Sequence, residues 1–177
     1  MKKVFVLLAV SGLLMILAAP LSSQTAVGHQ FIRFEISGTG ITLGDPLTSP
    51  VFPILPTFKG KSNLGGITGQ GLYMYLQLQP TPQGIPMVCV GGQAGIRFDS
   101  TGDMLLLQAT PGPTGVAIMK DATHITWEQT WTGVVLGGTG RFAGATGTFT
   151  KILSGQGTGT GFMSIFEGTI EVQLDAK

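Results

Sequence analysis

One cysteine, two histidines and only 11% charged residues leave this 177-residue chain short of the side chains that most catalytic and binding chemistries use. With Cys89 alone no intramolecular disulfide can form, so stability has to come from packing and backbone hydrogen bonds. His29 and His124 are too few for a multi-histidine metal site or a serine triad. Neither a metal nor a cofactor is expected. Ten basic against nine acidic residues, spread singly, lack the basic footprint of a nucleic-acid binder, so no nucleic-acid partner is expected.

The single long apolar run stands at the start. MKKVFVLLAVSGLLMILAAPLSSQTA has two lysines, an uncharged run from Val4 to Ala19, then a proline and small polar residues, the order of a secretory signal peptide. A cut after Ser23 or after Ala26 would each leave a small residue at the end, and both stay open. Residues 1–23 are therefore set aside as a signal peptide, and 28–175 as one domain in a secreted or periplasmic protein. The run is short of the roughly 20 residues of a spanning helix, so a membrane partner is expected only if the segment stays uncleaved. No cysteine follows it that a lipid anchor would require.

What the remainder does contain is alternation punctuated by glycine. QFIRFEIS (30–37) places Ile32, Phe34 and Ile36 on one face and Phe31, Arg33 and Glu35 on the other, the period of a strand. LTSPVFPILPTF (47–58) carries three prolines, which lack a ladder donor, and reads as a long connection or an edge. GLYMYLQLQ (71–79) sets Leu72, Met74, Leu76 and Leu78 against Tyr73, Tyr75 and Gln77. Short strands are predicted at 87–90, 94–98, 104–109 and 116–120, separated by turn sequences such as DSTGD and TPGPTG. HITWEQTWTGVVL (124–136) is the strongest strand, with Ile125, Trp127, Gln129, Trp131 and Val135 on one side. GTFTKIL, GTGFMSIFEG and TIEVQL complete the chain. Eight to ten short antiparallel strands predict an all-β barrel or sandwich. A barrel of about eight strands is preferred, because it leaves no open edge in a chain with few charges to guard one.

VVLGGTGRFAGATGTFT (134–150) resembles a strand entering a phosphate-binding loop, yet a dinucleotide fold needs a helix after the glycines and an acid about 20 residues on. Neither is there, and the nearest acid is Glu167. The stretch reads as a hairpin in which Gly137, Gly138, Gly140 and Gly144 shape the backbone, Gly144 bulges the returning strand, and Phe142 returns to the core. Arg141 is expected in water, with a contact to the neighbouring hairpin as the alternative. His124 beside Asp121 reads as a satisfied strand start, and Cys89, in PMVCVGG, as a buried small hydrophobe.

The spaced set Gly137, Gly138, Gly140, Phe142 and Gly144, the pattern GGxGxFxG, is similar to the hairpin of the allene oxide cyclase and dirigent-like β-barrel superfamily, and to uncharacterised bacterial secreted proteins ending in GGTGRFAGATG. WEQTW (127–131) resembles the Glu-x-Ser/Thr-aromatic run that precedes this loop in the cyclases, one residue further away. The resemblance covers mainly residues 123–150. It implies an eight-stranded antiparallel barrel, often a trimer, whose apolar lumen steers a small lipid or phenolic intermediate. It would also put Glu35 at the position of a catalytic glutamate, with Ser37 of FEIS where the cyclases carry an asparagine.

Two functions of different class follow. The first is a non-enzymatic exported barrel that binds a small apolar ligand or serves a structural role in an extracytoplasmic assembly, and that pairs with copies of itself if the resemblance holds. Its ligand would meet Tyr73, Tyr75, Cys89, Trp127 and Trp131, although the two tyrosines could instead lie outside at a subunit contact. The alternative is a cofactor-free cyclase or isomerase in which Glu35 or a tyrosine steers a proton. A lumen packed shut would leave only the structural role; an open one with Glu35 inside would favour the enzyme.

Overall fold

The computed structural model describes residues 30–43, 49–121, 124–158 and 163–176. The signal segment and His29 lie outside the described residues. Nine strands run in chain order as β1 (Gln30–Thr42), β2 (Val51–Ser62), β3 (Gly65–Gln77), β4 (Ile85–Phe98), β5 (Met104–Ala109), β6 (Gly112–Met119), β7 (His124–Gly138), β8 (Gly147–Thr158) and β9 (Met163–Leu174), with no α-helix among the described residues.

Every strand pairs antiparallel, and β3–β4 and β9–β1 pairing closes the sheet on itself. The barrel has eight staves although the strands number nine, because β5 and β6 share one position between β4 and β7. β5 pairs with Gly92–Arg97 of β4, and β6 with the Ile85–Cys89 half of the same strand. Closure leaves no stave with an unpaired edge.

MSIFEG and TIEVQL, expected as parts of two strands, are one strand, β9, continuous through Gly168, and two further departures from the sequence reading have local causes. The proline-rich segment is a full stave, β2, paired with both β1 and β3. Its Pro56 falls, with Leu55, in a gap of the β3 ladder between the Ile54–Tyr73 and Thr57–Gln70 pairs, and Pro53 lies past the last β1 partner, Ile54. The missing donors thus fall where a ladder is already interrupted. The strands predicted at 87–90 and 94–98 are one strand, β4. A β-bulge lets Met74 pair with Gly91 and Tyr75 with Cys89, leaving Val90 unmatched, so that Cys89 and Ala94 are both buried despite their opposite parity.

The interior divides along the barrel axis. At one end Ile32, Phe34, Ile96, Phe98 and Leu105 are fully buried, and the β7–β8 connection closes over them. In that connection a single 3-10 turn, Gly140–Phe142, inserts Phe142 against Phe98 with ring centroids 4.9 Å apart. Gly140 has φ 56°, a left-handed conformation suited to glycine, and a Cβ there would strike the Asp103 carboxylate. Gly144, at φ 67°, lies in the turn before β8 and is not part of the strand. Arg141 is not simply solvated. Its Nε donates to Asp103 Oδ2 at 2.7 Å, its Nη2 to Thr101 Oγ1 at 3.1 Å, and its guanidinium lies over the Phe98 ring 5.4 Å from the centroid. It fastens the β7–β8 connection to the β4–β5 turn.

Candidate ligand-binding lumen

The opposite end of the barrel is not filled. A cavity of about 110 Å3 lies there, bounded by the last residues of β1 and β3, the first of β2 and β4, β6, the first half of β7, and the parts of β8 and β9 beside it. Alternation decides which side chains reach it: on β7 the inward set is Ile125, Trp127, Gln129 and Trp131, and on β3 it is Tyr73, Tyr75 and Gln77. The leucines of β3 take the other face, where Leu72 is exposed. The tyrosines are therefore inside the barrel and not at an outer contact.

Trp127 keeps its place over the wall because its cross-strand partner is Gly155, where a Cβ would fall within the indole ring. Deeper in, Tyr73 and Trp131 stack with centroids 6.2 Å apart, and Tyr75 meets Trp131 edge-on at 6.0 Å. Tyr75 Oη donates to Gln129 Oε1 at 3.4 Å, and Gln129 Nε2 donates to Met87 Sδ at 3.2 Å, a weak acceptor.

Lys151 of β8 reaches into this box with 2% of its surface exposed. Its Nζ lies 4.4 Å from the Tyr73 ring centroid and 4.6 Å from that of Trp131, a cation–π clasp. No carboxylate and no hydrogen-bond acceptor accompany it among the described residues. Burial pushes its amine down to about 7, with Cys89 acting weakly the other way. Burial likewise pushes the Tyr73 and Tyr75 phenols up, assisted in both by the neighbouring Cys89, and raises the Cys89 thiol. Among the described residues Trp131 Nε1 is the one fully enclosed side-chain polar atom without a hydrogen bond of good geometry, and its weaker interaction with Tyr75 partly offsets the rise of that phenol. Lys151 thus holds its amine in an apolar chamber with no carboxylate beside it, a costly arrangement.

The structure brings together Tyr73, Tyr75, Trp127 and Trp131 of the sequence-predicted ligand set on the cavity wall. Cys89 is fully buried, holds Gly91 O at 3.5 Å, and lies outside the cavity lining. Glu35 sits on the outer face, its side chain 58% exposed and paired with Lys61 at 3.0 Å. Phe34 and Ile36 take the inward positions on either side of it, and Ser37 faces outward too. A reaction in the lumen cannot be run from Glu35 in that place. His124 contacts Asp121 at 2.8 Å, on the surface. Among the described residues no group of three His, Cys, Asp or Glu side chains could hold a metal ion.

Sequence reading missed Lys151. Its signal was nonetheless present in GTFTKIL, where alternation sets the lysine on the same face as Phe149 and Leu153. No family model, curated protein or solved structure matches the chain, and its function is read from the lumen itself.

Proposed function

We propose that this is an exported β-barrel that binds a small apolar molecule in the open half of its lumen. The observation that carries the reading is the division of the interior: one half is packed by Ile, Phe and Leu, while the other is an aromatic-walled cavity at the barrel mouth. Export is inferred from the leader sequence. The closed eight-stave barrel and the glycine hairpin support kinship with the allene oxide cyclase and dirigent-like barrels, and on that kinship the protein would assemble with copies of itself. The outward position of Glu35 weighs against a cyclase-type reaction and in favour of binding.

Both tryptophans of the chain line the cavity, so intrinsic fluorescence reports its occupancy. Titration with benzyl alcohol, a neutral one-ring compound, is expected to change the emission saturably. Ala117→Phe, which places a ring in the cavity, should abolish that change. A linear, unsaturable response identical in both proteins would reject the reading.

A further inference from the structure

The geometry points to a ligand of defined charge: we propose that the lumen takes a small monocarboxylate, seated with its carboxylate on Lys151 and its apolar body toward the barrel mouth. The inference rests on the lumen-binding reading and narrows it to a chemical class.

Four features select that class. The first is an imbalance of hydrogen-bonding groups. Lys151 Nζ borders the cavity against the Tyr73 and Trp131 rings with no acceptor or carboxylate of its own, while no buried side-chain acceptor is left over among the described residues. What is missing is therefore an acceptor.

Charge narrows it further. The residues lining the cavity include no Asp or Glu, and the carboxylates of the adjacent strands, Glu128 on β7 and Glu167 and Glu171 on β9, take the outward-facing alternate positions. A buried ammonium so placed is relieved most by an anion brought from outside. One lysine balances one negative charge, so a monoanion fits and a phosphate dianion does not.

The walls and the size do the rest. Tyr, Trp, Phe, Ile and Met side chains surround the site, which demands an apolar body behind the acceptor. An apolar protein cavity of roughly 150 Å3 accommodates a benzene molecule. A volume of about 110 Å3 is smaller than that, so the site takes one ring or a short branched chain only with part of it in the open mouth, and not a long one.

The titratable groups around Lys151 are Tyr73 and Tyr75 on β3 and Cys89 on β4, all held neutral by burial, while its β9 cross-strand partner, Ile170, is apolar. The proton on Lys151 alone therefore sets the pH dependence. Anion binding favours the charged amine, so affinity should fall as pH rises above about 7, where the free amine gives up its proton.

The test compares benzoate with benzyl alcohol by tryptophan fluorescence, on the wild-type chain and on Lys151→Met and Lys151→Gln, between about pH 6 and 9. The wild type should prefer benzoate by about tenfold or more at the low end. That preference should shrink by up to about tenfold per pH unit above neutrality, and both variants should prefer the alcohol. Benzyl alcohol binding with no preference for benzoate in the wild type, or a preference unchanged by either variant or by pH, would overturn the monocarboxylate while leaving the lumen as a binding site. Binding of neither compound would overturn both.

Discussion

Lys151 and Tyr73 face each other inside the barrel, with the amine nitrogen 4.4 Å from the ring centroid and no carboxylate near enough to neutralise it. A cation–π contact is worth about 2 kcal/mol when desolvated, whereas burying an unpaired ammonium costs several kcal/mol. The clasp therefore offsets only part of the penalty. The remainder is a standing destabilisation that binding of an anion would relieve.

Lys151→Met should accordingly stabilise the empty protein, by something on the order of 2 kcal/mol at neutral pH, seen as a rise of a few degrees in Tm. The wild type should also grow more stable from about pH 7 to 9. In that window the unfolded chain still binds the lysine proton and the folded one has released it, so stability rises with pH. Above it the sign reverses, because Cys89, Tyr73 and Tyr75 hold their protons in the folded state after the unfolded chain has lost them. Circular-dichroism melts across this range should show the rise in the wild type and not in Lys151→Met.

Gly155→Ala should disturb the cavity more than the fold. The added methyl falls within the Trp127 ring and close to Ile165 O, so the indole must swing away from the wall. A shifted tryptophan emission maximum and weaker benzyl alcohol binding are the expected results. Unchanged emission would show that Trp127 is not held by this contact.

At the closed end, Arg141→Ala should lower Tm, since the side chain ties Asp103 and Thr101 and covers Phe98. The Asp103 carboxyl is held below the usual carboxylate range, chiefly by its hydrogen bond from Arg141. The contribution is present above the ordinary aspartate value and lost as pH falls through the lowered one. Acid denaturation curves of wild type and variant should therefore draw closer at low pH, with the part due to Thr101 and Phe98 remaining.

Glu35→Gln should leave benzyl alcohol and benzoate binding untouched and change stability by no more than about 0.5 kcal/mol. The side chain makes one exposed ion pair with Lys61 on the outer face. Loss of ligand binding in this variant would require Glu35 to reach the lumen, contrary to its place on β1.

The alternation of β1 and β7 was readable because each face is chemically consistent: Ile32, Phe34 and Ile36 go in, as do Ile125, Trp127 and Trp131. β2 was hidden because proline argues against pairing, and only the register shows that Pro53 and Pro56 fall at gaps. β4 looked like two strands because the bulge at Val90 reverses the parity of its apolar residues. The tyrosine wall was ambiguous for a different reason. β3 carries leucines on one face and tyrosines on the other, and hydrophobicity alone favours burying the leucines, yet the stacking of Tyr73 and Tyr75 on Trp131 decides otherwise. Lys151 went unread because a lysine within an alternating strand ordinarily marks the solvent face.

The most direct test is the titration of Lys151 itself, by NMR of its 13C-labelled ε-carbon with Lys151→Met to assign the resonance. The expected midpoint lies near 7 in the free protein and moves upward on saturation with benzoate. A midpoint near 10.4, the value of an exposed lysine, or one that benzoate does not move, would contradict the account.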